Sequence, residues 1–164
     1  MMFTIRSGSM TAAIDSAGAQ LMSLQGSDGT QYLWQGDPRY WSDRSLTIFP
    51  YVARLTDGCY RYREQLYHMP IHGFAPGAEF AVTDQSENAV TFSLESSPEL
   101  YTQYPFLFQF SICYRLEEST LHVQITVDNM DRKTMYFGLG GHPGINVPLE
   151  NGLSFEDYAL EFPP

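Results

Sequence analysis

Every even-numbered position from Phe106 to Leu116 is apolar: Phe106, Phe108, Phe110, Ile112, Tyr114 and Leu116, with Gln109, Ser111, Cys113 and Arg115 between them. A second run, Leu121 to Val127, alternates in the same way, with Leu121, Val123, Ile125 and Val127 set against His122, Gln124 and Thr126. Side chains of a strand point to opposite faces in turn, so a period of two predicts two strands with one buried face each, joined through Glu117-Glu118-Ser119. Shorter strands are predicted over Met2 to Ile5, Met10 to Ile14, Gln20 to Leu24, Tyr32 to Trp34 and Leu46 to Pro50, separated by glycine- and serine-rich turns. Cys59 to Arg63 with Gln65 to His68, and Phe80 to Thr83 with Val90 to Leu94, read as hairpins, and Tyr158 to Phe162 as a last strand. Asp37 to Arg44, polar but carrying Trp41, is expected to lie as a loop over the sheet. One short helix is expected, from the N-cap Ser97 and Pro98 to a stop at Pro105. Short strands, frequent turns and so little helix predict an all-β fold, an antiparallel β-sandwich or barrel.

A chain of 164 residues suffices for one domain, and 43% hydrophobic residues against 17% charged exclude a disordered tail. Nine Lys and Arg face 19 Asp and Glu, a net charge of -10 with no basic block, so nucleic acid, membrane surfaces and heavily phosphorylated substrates are not expected as partners. Cys59 and Cys113 make neither a metal-ligand spacing nor a disulfide framework. No metal or cofactor is expected, and a reducing, cytoplasmic location is. MMFTIRSGSM has no signal-peptide core, and no apolar run reaches membrane-spanning length.

Candidate chemistry lies in two glycine- and proline-rich bends. His142 sits in GGHPGINVPL, where Gly141, Pro143 and Gly144 predict a loop at the end of a strand that exposes an imidazole. His72 sits in MPIHGFA between Pro70 and Gly73. The residues alone also fit turns that happen to contain histidines, and Arg54 in PYVARL also fits a strand-end arginine paired with Asp57 or another carboxylate. His68 falls in a hairpin strand and His122 on the polar side of an amphipathic one, so both read as structural. Asn129 and Asn146 read as turn residues. Trp34, Trp41 and Phe74 are the aromatic candidates for stacking on a ligand.

IFPYVARLTDGCY, MPIHGFA, YPFLFQFSICYRL, VDNMDRKTMYFGLGGHPGINVPL and FEDYALEF resemble, in order and spacing, the N-terminal half of the aldose 1-epimerase (galactose mutarotase-like) family, in its HPGFN-motif branch. The resemblance runs from about Leu46 onward. It implies a β-supersandwich, of which residues 1–164 would be a single domain cut short at the C-terminus, with open sheet edges that a homodimer would cover. It implies interconversion of the anomers of a free hexose: an acid protonates the ring oxygen, a base takes the proton from O1, and the opened aldehyde rotates and recloses. By motif position His142 resembles the acid, His72 the second, sugar-bonding histidine, and Arg54 the substrate-contacting arginine. The general base of the family, a glutamate, belongs to the C-terminal half, so weak activity or none is expected. Ile145 stands where the branch carries Phe, and no basic residue flanks HGFA. A non-catalytic carbohydrate-binding module and a phosphosugar epimerase are the alternatives.

Overall fold

The computed structural model describes residues 1–162. Among the described residues, eleven strands, one short α-helix and three 3-10 turns make up the regular structure, and every strand pairing is antiparallel. Strands β1 (Met2–Ser7), β2 (Met10–Asp15) and β3 (Gln20–Gln25) form a meander. Strands β7 (Ala81–Gln85), β8 (Ala89–Glu95), β9 (Phe108–Glu117) and β10 (Thr120–Asn129) form a four-stranded sheet in the order β10-β9-β8-β7. Two ribbons complete the fold: β5 (Cys59–Tyr62) with β6 (Gln65–His68), and β4 (Ser45–Ile48) with β11 (Gly140–Pro143).

The core lies between the meander and the four-stranded sheet. Ile5, Ala12 and Ile14 pack in one cluster with Phe92, Phe110, Ile112 and Leu116, and Phe3 meets Phe92 edge-on at 5.5 Å. The alternation predicted from Phe106 to Leu116 is realised in full, since its even positions are all buried, those from Phe108 onward in β9. Tyr114 joins the layers: its hydroxyl donates to the Ala19 carbonyl at 2.8 Å, and burial pushes the phenol up to about 12. The helix α1 (Pro98–Tyr101) starts where its sequence predicts, with the Leu100 amide donating to Ser97 Oγ at 3.2 Å.

In β10 the expected buried face is only half covered. Leu121, Val123, Ile125 and Val127 pair with Leu116, Tyr114, Ile112 and Phe110, and so continue the core face of β9. As the edge strand, however, β10 faces an open groove of about 960 Å³, and Val123 there is 47% exposed. Tyr158 to Phe162 is not a strand: a 3-10 turn over Phe155–Asp157 precedes it, and Leu160 and Phe162 lie open to solvent with no strand beside them among the described residues. No helix among the described residues is long and apolar enough to cross a membrane.

Candidate functional site

One strand carries both histidine segments. Strand β4 pairs Leu46 with His142 of β11, then runs into Phe49 and Pro50, against which the His72 bend is pinned. His142 is therefore on a short strand, where the sequence predicted a loop. A four-residue ribbon tolerates Pro143 at its end, because the missing donor there breaks no interior ladder bond. Gly141 and Pro143 line the groove beside β10, whereas His142 between them does not.

His72 is held more tightly. It adopts φ 65°, and Ala53 opposite it adopts φ 72°, so two residues with side chains occupy the left-handed region face to face. Such conformations persist only when their surroundings over-determine them. Here the His72 amide donates to the Ala53 carbonyl at 2.9 Å, and the Ala53 amide donates to His72 Nδ1 at 3.2 Å. An amide proton can be accepted only by the unprotonated ring nitrogen, so His72 carries its proton on Nε2. Gly73, at φ 78°, follows because any Cβ there would drive into the Phe49 carbonyl. Phe74 then anchors the bend, stacking on Phe108 at 5.8 Å and meeting Phe49 edge-on at 5.9 Å. Phe74 is 7% exposed, which corrects its reading as a stacking surface for a ligand.

From these anchorages the imidazoles of His72 and His142 converge, with ring centroids 5.7 Å apart and planes at 66°. His72 is half-buried and His142 exposed, so the pair lies at an open surface. His142 makes no side-chain hydrogen bond or ion pair among the described residues, and none of their carboxylates hydrogen-bonds either ring. Arg54 follows Ala53 directly, within one peptide of the residue clasped to His72. Its guanidinium is exposed and has no ion-pair partner among the described residues, Asp57 included. The other two histidines stand apart from the pair. His68 pairs with Cys59 at the end of β6, and His122 on β10 lies 3.4 Å from Glu117.

The third member of the cluster has no signal in the spacing of the sequence. Trp41 lies against His142, with centroids 4.8 Å apart and planes at 45°. Its loop is stapled to the turn after β11: the Trp34 amide donates to the Gly144 carbonyl at 2.9 Å, and the Gly144 amide to the Arg44 carbonyl at 2.7 Å. Asn146 Nδ2 adds bonds of 2.9 Å to the Gln31 and Leu33 carbonyls, and so serves the turn as its sequence suggested. Within the loop, Arg39 sits 2.6 Å from Asp37 and holds that carboxyl below the usual carboxylate range.

Residues 1–162 match the family described as aldose 1-epimerase. The chain belongs to this family. It is 33% identical over 168 aligned residues to the plasmid-borne protein LacX of Lactococcus lactis subsp. lactis, covering 99% of this chain and 56% of that protein. Among solved structures it superposes on a galactose mutarotase related enzyme from Lactobacillus acidophilus with a TM-score of 0.92 and 35% identity, over 96% of this chain and 53% of the other. A galactose mutarotase-like protein from Lactobacillus casei follows with 0.87 and 36%, over 92% and 52%. The chain thus spans about half the length of the relatives it matches. These relatives share the mostly β, antiparallel architecture, so the fold inferred from the alternation and from the resemblance is that of the aldose 1-epimerase family.

In this family member no group of three His, Cys, Asp or Glu among the described residues is placed to hold a metal ion. What the histidine pair offers is proton and hydrogen-bond chemistry: one imidazole with a fixed donor nitrogen and one without a protein partner among the described residues.

Proposed function

We propose that this chain carries the acid side of an aldose 1-epimerase site acting on a free hexose. His142 gives a proton to the ring oxygen as the C1–O5 bond breaks, and recovers it when the rotated aldehyde recloses. His72 donates from Nε2 to a sugar hydroxyl, and Arg54 contacts the sugar beside it. The observation that carries this reading is the 5.7 Å approach of two imidazoles from segments seventy positions apart, in a chain whose family acts on sugars. An acid without a protein hydrogen bond is free to exchange its proton with substrate, and one tied through Nδ1 is suited to orienting it. The proton leaving O1 passes to solvent, since no carboxylate hydrogen-bonds either ring among the described residues. The catalysed rate is accordingly weak, because a general base ordinarily contributes about 10²–10⁴-fold.

The absence of a carboxylate hydrogen-bonded to either ring among the described residues favours a second reading, a carbohydrate-binding module that keeps the histidines for hydrogen bonding alone. Anomerisation of fresh α-D-galactose, followed by polarimetry with the histidine resonances recorded in parallel, separates the two. Acceleration over buffer that His142→Gln abolishes supports the epimerase. Saturable histidine shifts without acceleration support the binding module, and neither effect would exclude both. The reading places the protein in the cytoplasm, in keeping with two unpaired thiols on separate sheets. It also includes a homodimer formed through the edge of β10, where Val123 is exposed. A chain that sediments as a monomer at high concentration would rule that dimer out.

A further inference from the structure

The turn after β11 has a glycine for lack of space. Gly144 does not have a positive φ, yet a Cβ there would stand 2.8 Å from Trp34 Cβ and 3.0 Å from Trp41 Cζ3. The Trp34 Cβ and the Trp41 indole both lie against it, and the surrounding backbone is hydrogen-bonded. Trp34 Nε1 donates to the Trp41 carbonyl at 2.8 Å, and the Trp41 amide donates to the Asp37 carbonyl at 2.9 Å. Together with the two backbone bonds of Gly144, these fix Trp41 from its own loop, from Trp34 and from the turn that carries His142. His142, in contrast, has two free torsions on an exposed strand and no hydrogen bond of its own among the described residues. Unrestrained, such a side chain samples several staggered rotamers. The indole at 4.8 Å and His72 at 5.7 Å are the rings that bound it.

We propose that Trp41 is a positioning residue for His142, its indole limiting the imidazole to the rotamer that faces His72. The consequence for catalysis rests on the epimerase reading above. A proton donor must come within about 3 Å of its acceptor, and a misplacement of about 1 Å can cost roughly 10²-fold. The positioning itself does not need a sugar and can be measured without one.

The test is NMR of the His142 side chain in the sugar-free protein, comparing wild type with Trp41→Leu, Trp41→Phe and Gly144→Ala. Wild type should show one χ1 rotamer and a ring proton displaced upfield of that of exposed His122. Trp41→Leu should average the rotamers and lose the displacement, while the Leu46 and Thr47 amides keep their positions and report an intact β4–β11 ribbon. Trp41→Phe should restore part of both effects. Gly144→Ala should loosen His142 with the tryptophan still present, by pushing the indole away from the turn. If His142 keeps a single rotamer in Trp41→Leu, or averages already in wild type, Trp41 does not position it. In the anomerisation assay Trp41→Leu should lower kcat about tenfold or more with KM little changed. Absence of catalysis in wild type would sink the functional reading, while the rotamer comparison would still decide the role of Trp41.

Discussion

His72 and His142 face each other across 5.7 Å, yet they are held in opposite ways. His72 is locked from the backbone outward: a left-handed φ, a hydrogen bond at its amide, another at Nδ1, and Phe74 buried behind it. His142 sits on an ordinary strand pair and is confined by neighbouring rings. The first arrangement fixes which nitrogen donates and suits a binding group. The second leaves both nitrogens open to exchange with a substrate and suits an acid. The difference teaches that two histidines in one cluster need not be held alike, and that anchorage is the basis for the different roles proposed for them.

The largest effect should come from Gly73→Ala, which breaks the locked side at its base. The methyl group meets the Phe49 carbonyl at a positive φ, so a loss of roughly 3 kcal/mol or more is expected from clash and strain together. Chemical denaturation would measure it, and a change under about 1 kcal/mol would show that the clasp is soft. Next is His142→Gln, which should take catalysed anomerisation down about 10²–10⁴-fold, to the buffer rate, with sugar affinity nearly unchanged. His72→Gln should do the reverse, weakening sugar binding about tenfold, the equivalent of about 1.4 kcal/mol, with a smaller effect on kcat. If the two substitutions gave the same pattern, the division of roles would be wrong. The smallest and most selective readout is the ¹⁵N spectrum of the two rings at neutral pH. His72 should show the single Nε2–H tautomer imposed by Ala53, and His142 a mixture.

Much of the fold is legible along the chain because burial in β9 follows the alternation of its residues one by one. The partner strand shows the limit. Leu121, Val123, Ile125 and Val127 announce which face of β10 is apolar, but whether a face is covered depends on sheet order, which local pattern does not encode. The two histidine segments were legible as candidates, since glycine and proline beside a lone imidazole mark backbone that must bend or pack closely. Their surroundings were not. Phe74 looks like an exposed aromatic next to a glycine and is core. Trp41 lies a hundred positions from His142 and meets it only because the Trp34 and Arg44 backbones clasp Gly144. His142 itself lies on a strand, since a short ribbon accepts glycine and a terminal proline that a central strand would reject.

The claim on which all of this depends is that the two imidazoles form one sugar site. It is tested most directly by titrating D-galactose into the protein and following its four histidines by NMR. His72 and His142 should move together along one saturable curve while His68 and His122 stay still. Movement of all four in parallel, or of neither member of the pair at saturating sugar, would contradict it.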